Sequence, residues 1–185
     1  MKPPQPKKIP KIHTAHGDER IDDYYWLRDD TRKNPEVISY LEAENKYLES
    51  WFESKNDCRK EIYNELVSFI PPHEVSMKVK YGDYYYFSEI SSDQQYKTYY
   101  REINGNKELV LNVNELAKDL DYFNVASITP SPNNHYIAYA EDLSGRREYN
   151  IKIKNLETGQ IIDESIQRSS GRVVWNKNND TIYYA

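Results

Sequence analysis

Apolar residues recur at helical spacing only in the first part of the chain. Val37, Ile38, Leu41, Leu48 and Phe52 form one stripe. Asn34 is placed to accept from the first turn, and Pro35 sits at the first helical position, where a missing N–H costs nothing. A second helix is predicted from about Asp57 through Ile62, Tyr63, Leu66, Val67 and Ile70, stopped by Pro71 and Pro72. Beyond these prolines the period changes from helical to alternating. Strands are predicted at Lys78–Ile90, Tyr96–Ile103, Glu108–Leu111, Phe123–Thr129, Tyr136–Glu141, Tyr149–Leu156, Ile161–Ser165, Arg172–Trp175 and Thr181–Ala185, with polar turns between several of them and a brief helix from Val113 to Leu120. The change of period divides the chain into residues 1–72 and 73–185.

The strand region repeats itself. ITPSPNNHYIAYA, Ile128–Ala140, aligns with VVWNKNNDTIYYA, Val173–Ala185, at an offset of 45 residues, so that Asn133 and Asn134 match Asn178 and Asn179. A fainter copy, YGDYYYF, puts Gly82 and Asp83 where Asn134 and His135 stand. Offsets of this size fit the four-stranded blade of a β-propeller, although Asn-rich hairpin turns also recur without any repeat. A propeller closes with about 4–8 blades, and the region after residue 72 holds about two. With TIYYA stopping inside a strand, the expectation is the front part of a larger protein.

Ahead of the helices, Pro3, Pro4, Pro6 and Pro10 precede the aromatic cluster Tyr24, Tyr25 and Trp26, set among acids. This reads as an extended arm pinned by its aromatics to another surface. The acids Asp18, Glu19, Asp22, Asp23, Asp29 and Asp30 around Arg20 and Arg28 offer either a cationic-ligand site or a solvated docking face.

Composition narrows the function classes. Tyrosine alone accounts for 18 residues, and the remaining apolar set with glycine is about 31% of the chain, below the typical 45–50%. The strands therefore fold, but depend on further surface. Net charge is -5, with 25 basic and 30 acidic residues scattered along the length, so no basic stripe tracks a phosphate backbone and nucleic acid is excluded as a partner. No apolar run approaches a membrane span, and MKPPQPKKIPKIH lacks the apolar core of a secretion signal, which points to the cytoplasm. Cys58, the one cysteine, cannot form an internal disulfide and is expected to be a small buried apolar residue rather than a reactive thiol.

No catalytic constellation is legible. The glycines never stand four apart, so the G-x-S-x-G nucleophile elbow is missing. His13, His16, His73 and His135 lack zinc spacing, no phosphate-binding glycine loop occurs, and neither a metal nor a cofactor is implied. Arg146 and Arg147, just after Gly145, suit bidentate contact with a carboxylate on a neighbouring domain or substrate, the alternative being a solvated turn.

HGDERIDDYYWLRDD, His16–Asp30, then NPEVISYLEAENKYLE, KEIYNELVSFIPPHEVS and AEDLSGRREYNIKIKNLETG resemble, in this order, the oligopeptidase B branch of the prolyl oligopeptidase family of serine peptidases. The resemblance covers essentially the whole chain. It implies an α+β fold: an arm and two helices that belong to an α/β-hydrolase domain, followed by the first blades of a seven-bladed β-propeller that filters substrates by size. In the family the triad and the acids that select Arg or Lys lie beyond the propeller, so no catalytic residue carries over to this chain. The implied partners are a C-terminal hydrolase part and oligopeptide substrates. The competing reading is a non-catalytic module that binds peptides or a partner protein. Under the first reading Tyr24, Tyr25 and Trp26 dock on the hydrolase part, and the chain alone is inert.

Overall fold

A computed structural model describes residues 2–185, apart from the side chain of Glu164. The chain forms two compact units that meet in sequence between Ile70 and Pro71.

The first unit opens with a hairpin. Strands β1 (Lys11–Ala15) and β2 (Asp18–Asp22) pair in antiparallel register from Lys11↔Asp22 to Ala15↔Asp18. This corrects the expectation of a wholly extended arm. The two-residue turn between them is His16–Gly17, both left-handed at φ 54° and 81°, a conformation uncommon for non-glycine residues but one in which histidine is enriched. Helix α1 (Pro35–Phe52) begins where the sequence places it, with Asn34 Oδ1 accepting from Glu36 N at 2.9 Å. Asp29 organises the approach to it, accepting from Thr31 N, Lys33 N and Asn34 N at 3.0, 2.7 and 2.7 Å. Helix α2 (Asn56–Ser68) follows after a single 3₁₀ turn. Of the α1 stripe only Val37 is buried; Ile38, Leu41 and Leu48 are exposed, and no residue of α2 is buried. Cys58 is exposed, which overturns the expected burial, because the contacts α2 makes within its unit bury none of its residues.

The second unit consists of three antiparallel sheets. The first contains β3 (His73–Val75), β4 (Val79–Tyr81), β5 (Tyr84–Ser91), β6 (Thr98–Ile103) and β7 (Asn106–Asn112), with β3 and β4 sharing one edge of β5. The single strand predicted over Lys78–Ile90 is thus a hairpin. Gly82, at φ 60°, supplies the left-handed residue of a tight turn that pairs Tyr81 with Tyr84. Asn112 then caps the short helix α3 (Val113–Leu116). The second sheet is a four-stranded meander of β8 (Asn124–Pro130), β9 (Tyr136–Asp142), β10 (Tyr149–Asn155) and β11 (Ile161–Ser169). The third is the pair β12 (Val173–Trp175) and β13 (Ile182–Tyr184).

The core sits on both faces of the second sheet. Ile137 and Tyr139 point to the first sheet, where they meet Val110, Leu111, Val113 and Phe123. Ala138 and Ala140 point to the third, with Tyr149, Ile151 and Val173. This two-sided cover explains why YIAYA is apolar at every position rather than at every second one. Alanines on one side and large residues on the other let two neighbours pack at different depths.

The 45-residue repeat is real in three dimensions. Ile128↔Tyr139, Thr129↔Ala138 and Pro130↔Ile137 recur as Val173↔Tyr184, Val174↔Tyr183 and Trp175↔Ile182. The turns recur too: Ser131 N donates to Tyr136 O, and Asn176 N to Thr181 O, each at 2.9 Å. Asn134 and Asn179 are left-handed at φ 61° and 67°. Ser131 Oγ accepts from Tyr136 N at 3.0 Å as Asn176 Oδ1 accepts from Thr181 N at 3.3 Å. The fainter copy keeps only the left-handed position, at Gly82, in its tighter turn.

Candidate functional site

Strand β9 ends on Asp142, whose side chain is fully buried at 0% exposure. The next residues wind around its carboxylate. Oδ1 accepts from Ser144 N at 2.8 Å, Ser144 Oγ at 3.0 Å and Gly145 N at 3.0 Å, and Oδ2 accepts from Arg147 N at 2.8 Å. Gly145 and Arg147 adopt left-handed φ of 71° and 60° to complete the loop. Burial alone would push this carboxyl up, but the bonds from Ser144, Arg147 and Gly145 together hold it below the ordinary carboxylate value. Asp142 therefore stays ionised at neutral pH and fixes the loop's shape.

That loop presents the two arginines singled out from the sequence. Arg146 and Arg147 are exposed on it. The pairing Tyr149↔Ser169 brings the end of β11 alongside, where Arg168 Nε stands 3.6 Å from Glu148. Sequence reasoning missed Arg168, since only the β10–β11 register carries it to this end of the sheet. The loop held by the buried carboxylate thus gathers Arg146 and Arg147, with the Arg168–Glu148 pair beside them.

A second polar cluster joins the first sheet to the second. Arg101, 5% exposed, pairs with Glu108 at 2.7 Å, lies over the Tyr84 ring at 4.2 Å and donates to the backbone carbonyl of Asn134. Tyr86 OH donates to Asn134 Oδ1 at 2.8 Å. Gly82 abuts the same side chain: a Cβ there would come within 2.5 Å of Asn134 Nδ2. Lys154 also crosses between these sheets, its Nζ donating to Val110 O at 2.9 Å, and burial holds its ammonium below the ordinary lysine value. These contacts satisfy buried polar groups between the two sheets.

Between the first and second sheets opens an apolar recess of about 320 Å³, lined by Met77, Val79, Tyr86, Tyr99, Val110 and Ile128 among others. No charged side chain lines it, so it accommodates a neutral group. Within the first unit, Trp26 Nε1 donates to Lys7 O at 2.8 Å and its ring lies edge-on to Tyr40 at 6.1 Å. Tyr25 lies against His13 at 4.8 Å and beneath Lys11 Nζ at 3.3 Å, whereas Tyr24 is exposed. Two of the three arm aromatics thus have partners in their own unit, which a sequence without the β1–β2 hairpin could not reveal. Among the described residues, no group of three or more His, Cys, Asp or Glu is placed to hold a metal ion. No helix among them is long and apolar enough to cross a membrane.

The family model described as prolyl oligopeptidase, N-terminal beta-propeller domain, matches residues 3–185. Protease 2 of Moraxella lacunata is 35% identical over 100% of this chain and 28% of that protein. Dipeptidyl aminopeptidase BI of Pseudoxanthomonas mexicana is 31% identical over 98% of the chain, again 28% of that protein. The oligopeptidase B structure from Leishmania major superposes with a TM-score of 0.89 at 27% identity, over 99% of this chain and 29% of that one. The chain thus spans less than a third of the length of the relatives it matches.

Proposed function

The chain belongs to the prolyl oligopeptidase family through its N-terminal β-propeller domain, and from that premise we propose that it is the N-terminal portion of a serine-type oligopeptidase that cleaves short peptides after Arg or Lys. The observation that carries this reading is the in-register recurrence of the β8–β9 hairpin as β12–β13, the signature of successive blades, in a chain whose fold matches an oligopeptidase B. Residues 73–185 are then about two blades of a seven-bladed propeller that restricts substrate size. Residues 1–72 belong to the α/β-hydrolase domain. The exposed apolar positions of α1 and α2 and Tyr24 need a covering partner and support this reading; with Tyr25 and Trp26, which also have partners in their own unit, they form its docking surface. Arg146 and Arg147 contact a carboxylate across the domain boundary or on the substrate. The enzyme works in the cytoplasm, in keeping with a single, unpaired cysteine.

On this reading the nucleophile, its base and the basic-residue selectivity lie outside these 185 residues, and the chain alone is inert. The test is hydrolysis of an Arg-amide peptide reporter by the purified chain, alone and mixed with the C-terminal part of a relative such as protease 2. Activity that appears only in the mixture and is abolished by a serine-directed inhibitor supports the proposal. Inhibitor-sensitive turnover by the chain alone that survives repurification overturns it. Binding of peptides by the chain with no gain in the mixture favours the non-catalytic module instead.

A further inference from the structure

The β6–β7 hairpin turns on two residues, Asn104 and Gly105, between the paired Ile103 and Asn106. Both are left-handed, at φ 51° and 81°, as the two-residue turn of a hairpin requires. They are the one Asn-Gly step in the chain, and both are exposed. Apart from its two chain neighbours, no heavy atom lies within 4 Å of where a Cβ on Gly105 would be, so nothing from the rest of the fold packs against that side of the turn.

The other asparagines in left-handed turns differ on both counts. Asn134 Oδ1 is held by Tyr86 OH at 2.8 Å, and Asn179 Oδ1 by Asn133 N at 2.8 Å. His135 and Asp180 follow them, and a side chain on the following residue hinders attack by its nitrogen.

We infer that Asn104 is a site of spontaneous deamidation and isoaspartate formation in the folded chain. The deprotonated Gly105 nitrogen attacks Asn104 Cγ; the new C–N bond closes a succinimide ring, the Cγ–Nδ2 bond breaks, and the amide nitrogen leaves as ammonia. Water then opens the ring at either carbonyl. Cleavage of the Cγ–N bond leaves aspartate in a normal backbone. Cleavage at the α-carbonyl carries the backbone through the side chain as isoaspartate. No oxidant or cofactor enters the balance, which consumes water and releases ammonia.

The consequence is local and directional. A two-residue turn cannot absorb the extra backbone atom of isoaspartate without losing the Ile103↔Asn106 pair. Next along the ladder come Glu102↔Lys107 and then Arg101↔Glu108, the pair that carries the guanidinium to Asn134. Conversion therefore frays the hairpin towards the contact between the first two sheets. Ring closure needs the turn to open, so the folded chain reacts more slowly than the unfolded one.

The test is incubation of the purified chain at mildly alkaline pH, in buffer and in denaturant. Samples are digested, mapped by mass for the amide-to-acid gain, and labelled by an isoaspartyl methyltransferase. The peptide containing Asn104 is expected to convert ahead of those containing Asn133–Asn134 and Asn178–Asn179, several-fold faster in denaturant than in buffer. Asn104→Gly, which keeps a residue suited to left-handed φ, is expected to abolish the methyl acceptor. Conversion of Asn104 in buffer no faster than at the other two turns overturns the assignment, and equal rates in buffer and denaturant overturn the gating by the turn.

Discussion

The backbone N–H of Asn133 donates to the side-chain oxygen of Asn179 at 2.8 Å, joining equivalent turns of the second and third sheets. Asn134 plays the corresponding part toward the first sheet, its side chain accepting from Tyr86 and abutting Gly82. The left-handed residue of each turn in the second and third sheets thus binds the sheet before it. Asn179→Gly, which keeps a residue suited to the φ of 67° and removes the acceptor together with the longer bond from Nδ2 to Lys177 O, is expected to cost about 1 kcal/mol in urea unfolding. Asn134→Ala loses its acceptor and also forces a Cβ-bearing residue without local hydrogen bonding into left-handed φ, so it should cost about 1–2 kcal/mol more than Asn134→Gly. Equal stability of the Ala and Gly variants would remove the conformational part of this account.

Asp142 makes the stability of the second unit pH-dependent. Its folded carboxyl lies below its unfolded value, so its contribution is present above about pH 4, the unfolded carboxylate range, and is lost as pH falls through the folded value. Asp142→Asn should flatten the acid limb of a stability–pH curve. Asp142→Ala, which strands the N–H groups of Ser144, Gly145 and Arg147, should cost about 2–4 kcal/mol at neutral pH. Asp29 offers a parallel probe in the first unit: its side-chain bond with Thr31 and the N–H groups of Asn34 and Lys33 hold it down to about 2. A carboxyl NMR titration should find Asp29 still ionised at a pH where ordinary carboxylates are protonated.

Trp175 and Trp26 report on different units. The Trp175 indole donates to Thr129 O at 2.9 Å and stacks on Tyr136 at 6.3 Å, tying the third sheet to the second. Trp175→Ala is expected to destabilise the second unit by about 2–4 kcal/mol, and Trp175→Phe by about 1 kcal/mol through the lost bond. Trp26→Ala should leave the strand region's transition in place while loosening the contact of α1 with the Pro-rich segment. It should also weaken assembly with an added hydrolase part. Assembly that is indifferent to Trp26 would sink the docking role of the arm.

The isolated chain is expected to self-associate through its helices. Leu41 on α1 and Leu66 on α2 are 52% and 60% exposed. Apolar surface of this extent favours contact between copies when no other partner covers it. Leu41→Lys combined with Leu66→Lys is expected to shift the chain toward monomer in sedimentation velocity, with helix content unchanged because neither position is buried. An unchanged distribution would move the self-association elsewhere, to the strand edges.

Local chemistry was legible from the residues alone. Asn34 and Pro35 start α1 where an N-cap and an N–H-free residue belong. Pro71 and Pro72 separate the helical from the alternating period. The offset of 45 residues predicted a hairpin that recurs in the same register. Each of these depends on interactions within a few residues, or on a pattern copied along the chain. What tertiary structure decided were the relations across sheets: Arg101 reaching the Asn134 carbonyl, Lys154 reaching Val110, and Arg168 arriving beside the loop of Arg146 and Arg147. It also decided that Asp142 is buried while Cys58 is exposed. Periodicity tells which face of an element is apolar. Whether that face is covered, and which distant polar group meets a buried one, depends on how twisted sheets pack, and no local pattern encodes that.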